Sequence, residues 1–349
     1  MKSDCTKIEL GKLCSRLSSG KSILASKVHN SGLYPVYGGN GLRGFTDKFN
    51  FDGECAIIGR QGAFCGNVRY FAGKAYMTEH AVVACANEDN NTRFLAYYLS
   101  TMNLGRLSGQ SAQPGLSVKT LAAQEITIPP LETQKKIAAI LSALDEKVAT
   151  NLAINENLER QAQAIYSSIF IDNADPVWKQ GHLSDLITVK YGKDHKKLAD
   201  GIYPVYGSGG IMRYVECPLY DKESVLIPRK GTLNNVMYVN QPFWSVDTMF
   251  YTEMKLPNVA KYVYHFVKAK DLASMNAGSA VPSMTTDILN AMEVVIPSAS
   301  ALEKFESLVT PMYEAMEAND VQSKALSQMR DTLLPKLMSG EIDVSAVRL

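Results

Sequence analysis

Long apolar runs are missing from this 349-residue chain. No stretch approaches the roughly 18 consecutive apolar residues a membrane-spanning helix needs. The opening MKSDCTKIELGKL lacks the apolar core of a secretion signal, so a cytoplasmic location is expected. Cysteine is sparse and lopsided: Cys5, Cys14, Cys55, Cys65 and Cys85 lie in the first half and only Cys217 in the second. Neither C-x-x-C nor His-x-x-x-His occurs, which argues against a disulfide framework and against a metal site. Glycine is plentiful, yet there is no G-x-x-x-x-G-K-[ST], and no strand–GxGxxG–helix unit with an acid downstream. A nucleotide cofactor is therefore not expected in this chain.

What the chain does have is written twice. YPVYGGNGLRGF at 34–45 returns as YPVYGSGGIMRY at 203–214. Arg60 and Gly62 answer Arg229 and Gly231; SAQPGLS at 111–117 answers SAVPSMT at 279–285; Ile128-Pro129 answers Ile296-Pro297. A repeat this long exceeds the roughly 20–50 residues of solenoid units. It is a duplicated module, so function belongs to what two linked copies do that one cannot.

After Pro129-Pro130 comes a segment without glycine or proline, and proline ahead of a helix is a start signal. Ile137, Leu141, Leu144, Val148, Asn151, Asn155, Leu158, Ala162, Ile165 and Ile169 alternate at spacings of four and three, the seam of a coiled coil. The second copy repeats it with Phe305, Val309, Met312, Met316, Asn319, Ser323, Leu326, Arg330, Leu333 and Leu337. Helices are expected over 131–170 and 299–338, with Pro335 kinking or ending the second. Asn151 and Asn155 interrupt the first seam where Asn319 and Ser323 interrupt the second. Antiparallel pairing sets Asn151 beside Ser323 and Asn155 beside Asn319, a polar layer that fixes register at some cost in stability. At 1.5 Å per residue such a helix is about 60 Å long, a scale that suits reading two separated segments of one duplex.

The globular halves read as α+β. Strands are expected at 54–60, 80–86, 224–229 and 292–297, and helices at 93–103 and 258–270. Residues 1–128 carry 14 lysines and arginines against 9 acids, whereas residues 298–349 carry 5 against 8. Globular parts more basic than their helices suit a polyanionic partner. Arg60-Gln61-Gly62 and Arg229-Lys230-Gly231 place long donors at strand exits beside glycines. Arg bonds guanine, Gln bonds adenine, and Lys serves bases or phosphates. Tyr34, Tyr37, Tyr203 and Tyr206 read first as packing and second as base stackers. His80 is replaced by Asp247 near the same place in the second copy, which favours packing or base reading over catalysis; His29, His182, His195 and His265 show no partner pattern.

The string ETQKKIAAILSALDEKVATNLAINENLERQAQAIYSSIF resembles the first conserved helical region of DNA specificity subunits of type I restriction-modification enzymes. LLPKLMSGEIDVS at 333–345 resembles the end of their second. YPVYGGNG, GRQGAFCGNV and GQSAQPGLS resemble one common class of their target recognition domains. The resemblance implies an α+β fold of two tandem target recognition domains (1–128 and 173–297), joined by two long helices (129–172 and 298–349, the latter with a tail). These would form an antiparallel coiled coil with pseudo-two-fold symmetry.

It implies a noncatalytic subunit that reads a bipartite, asymmetric double-stranded DNA site. The helices would set the gap and dock two modification subunits bringing S-adenosylmethionine; restriction subunits would add ATP- and Mg-dependent steps. Candidate DNA-binding residues are Arg43, Arg60, Gln61, Gln110, Ser111, Gln113, Lys119, Arg213, Arg229, Lys230, Asn234, Ser279 and Ser283. The second helix reads LEKFESLVTPMYEA where the first reads QKKIAAILSALDEK, so contacts with the two modification subunits should be unequal. An enzyme with its own methylation is disfavoured because the only Pro-Pro, Pro129-Pro130, is not an Asn-Pro-Pro-Tyr motif. A duplicated protein scaffold, or the specificity arm of another restriction-methylation system, are the alternatives.

Overall fold

The computed structural model describes residues 5–108, 115–275 and 283–347. The first globular part runs β1 (Thr6–Glu9), α1 (Leu10–Leu13), β2 (Cys14–Ser19), β3 (Tyr34–Gly38), β4 (Gly41–Thr46), β5 (Phe51–Gly59), β6 (Val68–Met77), β7 (Ala81–Ala86), α2 (Thr92–Thr101), α3 (Val118–Ala122) and β8 (Glu125–Ile128), then the long helix α4 (Leu131–Ser167). The second runs β9 (Lys179–His182), α5 (Leu183–Leu186), β10 (Ile187–Tyr191), β11 (Asp200–Gly207), β12 (Gly210–Val215), β13 (Ser224–Pro228), β14 (Met237–Val239), β15 (Trp244–Ser245), β16 (Met249–Met254), α6 (Ala260–Lys268), α7 (Thr286–Asn290) and β17 (Glu293–Ile296), then α8 (Ala299–Met338). The fold is α+β. Among the described residues no helix is long and apolar enough to cross a membrane.

The chain divides into two compact units. Unit 1 holds residues 1–151 and 321–349; unit 2 holds 152–320. Each therefore contains one globular part and a stretch of both long helices.

In unit 1 six strands form one sheet in the order β2-β7-β5-β6-β3-β4, with β1 and β8 paired apart. Asn91 starts α2 by accepting the Phe94 main-chain N–H on its Oδ1 at 2.8 Å, the usual service of an amide at a helix N-terminus. The helix then buries Phe94, Leu95 and Leu99 against Ile58 and Val82 of the sheet. Ile137 and Leu141 of α4 enter the same core, as do Leu337 of α8 and Val344 of the tail. A fully buried leucine such as Leu141 contributes about 2–5 kcal/mol, judged from truncation to alanine.

Unit 2 repeats the plan with a break. Its strands form a four-stranded sheet β10-β16-β13-β14 and a three-stranded sheet β12-β11-β15. Where unit 1 has the continuous β6, unit 2 has β14 and β15 separated by Asn240, Gln241, Pro242 and Phe243. Proline has no N–H for the ladder and disfavours pairing on both sides of itself, so the strand divides. The unit 2 core gathers Ala162 and Tyr166 of α4, Tyr262 of α6, and Phe305 and Val309 of α8. Phe170 meets the rings of Tyr262 and Phe305 edge-on at 4.7 and 5.2 Å, a favoured aromatic geometry.

Every residue of both seams is buried or half-buried. Pro335, however, does not end the second helix, which continues to Met338. Only the terminal turn follows it, Leu337 is anchored in the unit 1 core, and the Pro335 carbonyl still accepts from Ser339 at 2.9 Å. Pro311 is likewise accommodated within α8, between the core residues Val309 and Phe305 on one side and Met312 on the other.

Candidate nucleic-acid interface

At the end of β5 in unit 1, the main chain of Arg60 is held on both sides. Its N–H donates to the His80 carbonyl at 3.0 Å, and its carbonyl accepts from Leu116 N at 2.8 Å. Gln61 makes a bridge with Gly115, which ties the strand exit to the loop after it. The Arg60 guanidinium turns back on the frame: Nη1 lies 3.3 Å from Ser19 Oγ and 3.5 Å from the Glu79 carbonyl. Gln61 Oε1 sits 2.9 Å from His80 Nδ1. Gly62 turns the chain at φ +74°, a backbone that glycine adopts without strain. Gly39 packs so closely that a Cβ there would meet the His80 carbonyl at 2.9 Å.

Unit 2 builds the same frame from Arg229. Its N–H donates to the Thr248 carbonyl at 2.9 Å and its carbonyl accepts from Met284 N at 2.9 Å. Lys230 bridges to Ser283, Gly231 turns at φ +86°, and Arg229 Nη1 donates to the Asp247 carbonyl at 3.2 Å. The guanidinium also lies 5.3 Å above the Tyr191 ring. This register corrects the pairing of His80 with Asp247: the counterpart of His80 is Thr248, and Asp247 answers Glu79.

The other candidates are placed as follows. Arg43 is exposed on β4 in a bulge, its Cδ only 2.7 Å from where a Cβ on Gly38 would stand. The matching bulge residue of β12 is Met212, whose Sδ lies 2.5 Å from the same point on Gly207. Arg213, which stands opposite Gly44 in the repeat, donates to the Leu198 carbonyl at 3.0 Å and to Asp200 Oδ1 at 2.7 Å. Lys119 is exposed on α3. Asn234 ties two loops, donating to Asp271 Oδ1 at 3.0 Å and accepting from Ala273 N at 3.0 Å. Gln110, Ser111, Gln113 and Ser279 lie outside the described residues. Arg69, absent from the candidates, is exposed on β6, its guanidinium carbon 3.2 Å from where a Gly41 Cβ would be. It has no equivalent in the repeat, since Met237 stands there.

The tyrosines serve packing. Tyr37 tilts against Phe71 at 5.1 Å, Tyr34 against Phe49 at 5.0 Å, and Tyr206 meets Phe243 edge-on at 6.1 Å. Among the described residues no cluster of His, Cys, Asp and Glu is fit to hold a metal ion. Cys14 and Cys55 are free thiols, and burial pushes both up to about 12, so neither is a nucleophile at neutral pH. A 540 Å³ cleft in unit 2 is lined by Glu156, Glu159, Glu314, Glu317 and Asp320. Lys261 and Lys268 also line it, but the excess of acids disfavours phosphate there.

The seam amides make specific bonds. In unit 1, Asn151 Nδ2 donates to Ser323 Oγ at 3.1 Å and to Gln322 Oε1 at 2.9 Å. In unit 2, Asn319 Nδ2 donates to Asn155 Oδ1 at 2.8 Å. Each unit also joins its globular part to the helices through polar groups that sequence reasoning missed. In unit 1, Asp145 accepts from Tyr97 and, at 2.7 Å, from Arg330. In unit 2, His265 has partners after all: Nδ1 lies 2.8 Å from Gln163 Oε1 and Nε2 3.0 Å from the Tyr313 hydroxyl. Desolvation lowers its pKa to about 4, so the ring is neutral, giving Nδ1–H to Gln163 and accepting from Tyr313. Tyr97 and His265 are 168 apart, as are Asp145 and Tyr313. The same seat is refilled with different chemistry.

The family described as Type I restriction modification DNA specificity domain matches residues 2–160 and 177–312. The specificity subunit of the Escherichia coli type I restriction enzyme EcoprrI is 41% identical over 134 residues, 37% of this chain. The chain spans 33% of that relative's length. A putative type I restriction enzyme specificity subunit of Haemophilus influenzae is 24% identical, covering 93% of this chain and 94% of its own. A solved type I restriction-modification S subunit from M. genitalium shares the fold, with a TM-score of 0.66 at 20% identity over 95% of this chain and 96% of that one.

Proposed function

The chain belongs to the type I restriction-modification DNA specificity family and is a specificity subunit of that kind; we propose that each globular part reads one half of a two-part, asymmetric DNA site. The observation that carries this is the duplicated frame around Arg60 and Arg229. One main-chain arrangement, present in each unit, carries different exposed side chains, as two readers of unequal half-sites require. The candidate contacts around it are Arg43, Gln61 and Lys119 in unit 1 and Lys230 in unit 2, with the loop residues Gln110, Ser111, Gln113 and Ser279. Ser283 aligns Lys230, while Arg213 and Asn234 hold neighbouring loops.

The long helices act as an antiparallel coiled coil that sets the unspecified gap, with Asn151, Asn155, Asn319 and Ser323 fixing its register. Two modification subunits dock on these helices, and restriction subunits join where the system has them. Methyl transfer and ATP-driven steps belong to those partners, which hold S-adenosylmethionine, ATP and Mg. The complex works on double-stranded DNA in the cytoplasm.

Phosphate contacts release counterions, so affinity for duplex DNA should fall steeply and linearly in log–log form with salt. A titration of the complex with duplex DNA from 50 to 200 mM salt, on the order of the range where such losses appear, tests this. Binding indifferent to salt would support a protein scaffold instead.

A further inference from the structure

The two faces share their main chain and differ in their side chains, and the difference separates frame from reader. Two main-chain bonds that hold Arg60 recur on Arg229: the N–H to residue 80 or 248, and the carbonyl to residue 116 or 284. The bridge from residue 61 or 230 to 115 or 283 is also repeated. A frame duplicated this closely delivers positions 61 and 80 of unit 1, and 230 and 248 of unit 2, to the same place on the local sheet. Those are the positions where the copies part, Gln61 and His80 against Lys230 and Thr248.

The two arginines are the obvious base-reading groups by residue type, yet both are engaged. Each gives Nη1 to the carbonyl just before the partner residue, Glu79 in one unit and Asp247 in the other. Arg60 adds Ser19 Oγ and Arg229 adds the Tyr191 ring. In both copies one end of the guanidinium, Nη1, goes to the same carbonyl, which ties the arginine to the turn that carries residue 80 or 248.

Building on the two-reader proposal above, we infer that Arg60 and Arg229 are positioning residues, and that base discrimination lies with the pairs Gln61–His80 and Lys230–Thr248. The His80 side chain is 45% exposed, so it presents an edge to a ligand. It is braced by Gln61 at 2.9 Å and by Glu79 Oε1, 3.5 Å from Nε2. Gln61 keeps its amide hydrogens and a second lone pair on Oε1, the donor–acceptor set that matches adenine N7 and N6 in a major groove. Lys230 offers donors only and matches guanine N7 and O6; the Thr248 hydroxyl suits either. The unit 1 half-site therefore specifies adenine where the unit 2 half-site specifies guanine.

Selection from a pool of randomised duplexes, by this chain in complex with its modification subunits, tests the inference. The paired substitution Gln61→Lys with His80→Thr should convert adenine to guanine in one half-site and leave the other half-site and the gap unchanged. Lys230→Gln with Thr248→His should do the reverse in the other half-site. Arg60→Ala should keep the preferred bases and lower enrichment at its half-site about tenfold or more, the loss expected when the Gln61–His80 pair is displaced from one good base contact. Thermal melting shows which variants fold, and the single His80→Thr variant serves if the pair does not. An unchanged consensus in folded paired variants overturns the inference, as does an Arg60→Ala variant that prefers a different base. A wild-type complex that selects no two-part sequence overturns the two-reader proposal itself.

Discussion

Asn319 donates from Nδ2 to Asn155 Oδ1 at 2.8 Å, within seams that are otherwise largely apolar. Asn155 in turn donates to Asp320 Oδ1 at 2.8 Å and to the Met316 carbonyl at 3.2 Å. Removing one partner takes this bond from the other, half-buried amide, at a cost of about 1–3 kcal/mol. Replacing both by apolar groups is often neutral or stabilising. Urea unfolding of Asn155→Ala should therefore show a loss of that size, and Asn155→Leu with Asn319→Leu should recover most of it. Strictly additive losses would mean that the two amides are not coupled.

Arg60→Ala and Arg229→Ala should each weaken specific binding by about 1–3 kcal/mol, through different half-sites. Duplexes altered in one half-site at a time separate the two effects. Loss through the same half-site, or no loss in either variant, contradicts one reader per unit.

His265 makes the stability of unit 2 sensitive to acid. Its ordinary pKa near 6.5 is lowered to about 4, first by desolvation. A depressed histidine means that the unfolded chain takes up the proton first, so protonation favours unfolding. Its contribution is full above pH 6.5 and is lost as pH falls toward 4, in all about 3 kcal/mol. Denaturant unfolding at pH 7.5 and pH 4.5 should show this difference in the wild type and a smaller one in His265→Gln. Equal pH dependence in both would remove His265 from this role.

Inserting one heptad into each of α4 and α8 keeps both seams in phase. The preferred gap between half-sites should lengthen, as read from the methylated motif of cells carrying the variant and its modification subunit. An unchanged gap contradicts a ruler made of these helices.

The seams were legible because a strict heptad repeat of apolar residues has one physical outlet, an inward-facing stripe. Ile137 through Ile169 and Phe305 through Leu337 all face inward, and α8 spans 299–338 as the spacing predicts. The repeat was equally visible where residues are kept, as at Arg60 and Arg229. It was hidden where the position is kept and the chemistry is not. Tyr97 with Asp145 and His265 with Tyr313 fill one seat with unrelated residues, so no comparison of identities pairs them. At the bulge shared by β4 and β12, Arg43 in one copy stands where Met212 stands in the other, the position kept and its chemistry changed. Pro242 splits a strand whose unit 1 equivalent is continuous, a local effect that the duplication masked.

Methylome sequencing of cells carrying the neighbouring modification subunit, with and without this chain, tests two-part DNA recognition most directly. The result predicted is a methylated motif, present only with the chain, in which two unequal half-sites flank a gap of fixed length. Absence of chain-dependent methylation, or a motif of one continuous block, would contradict it.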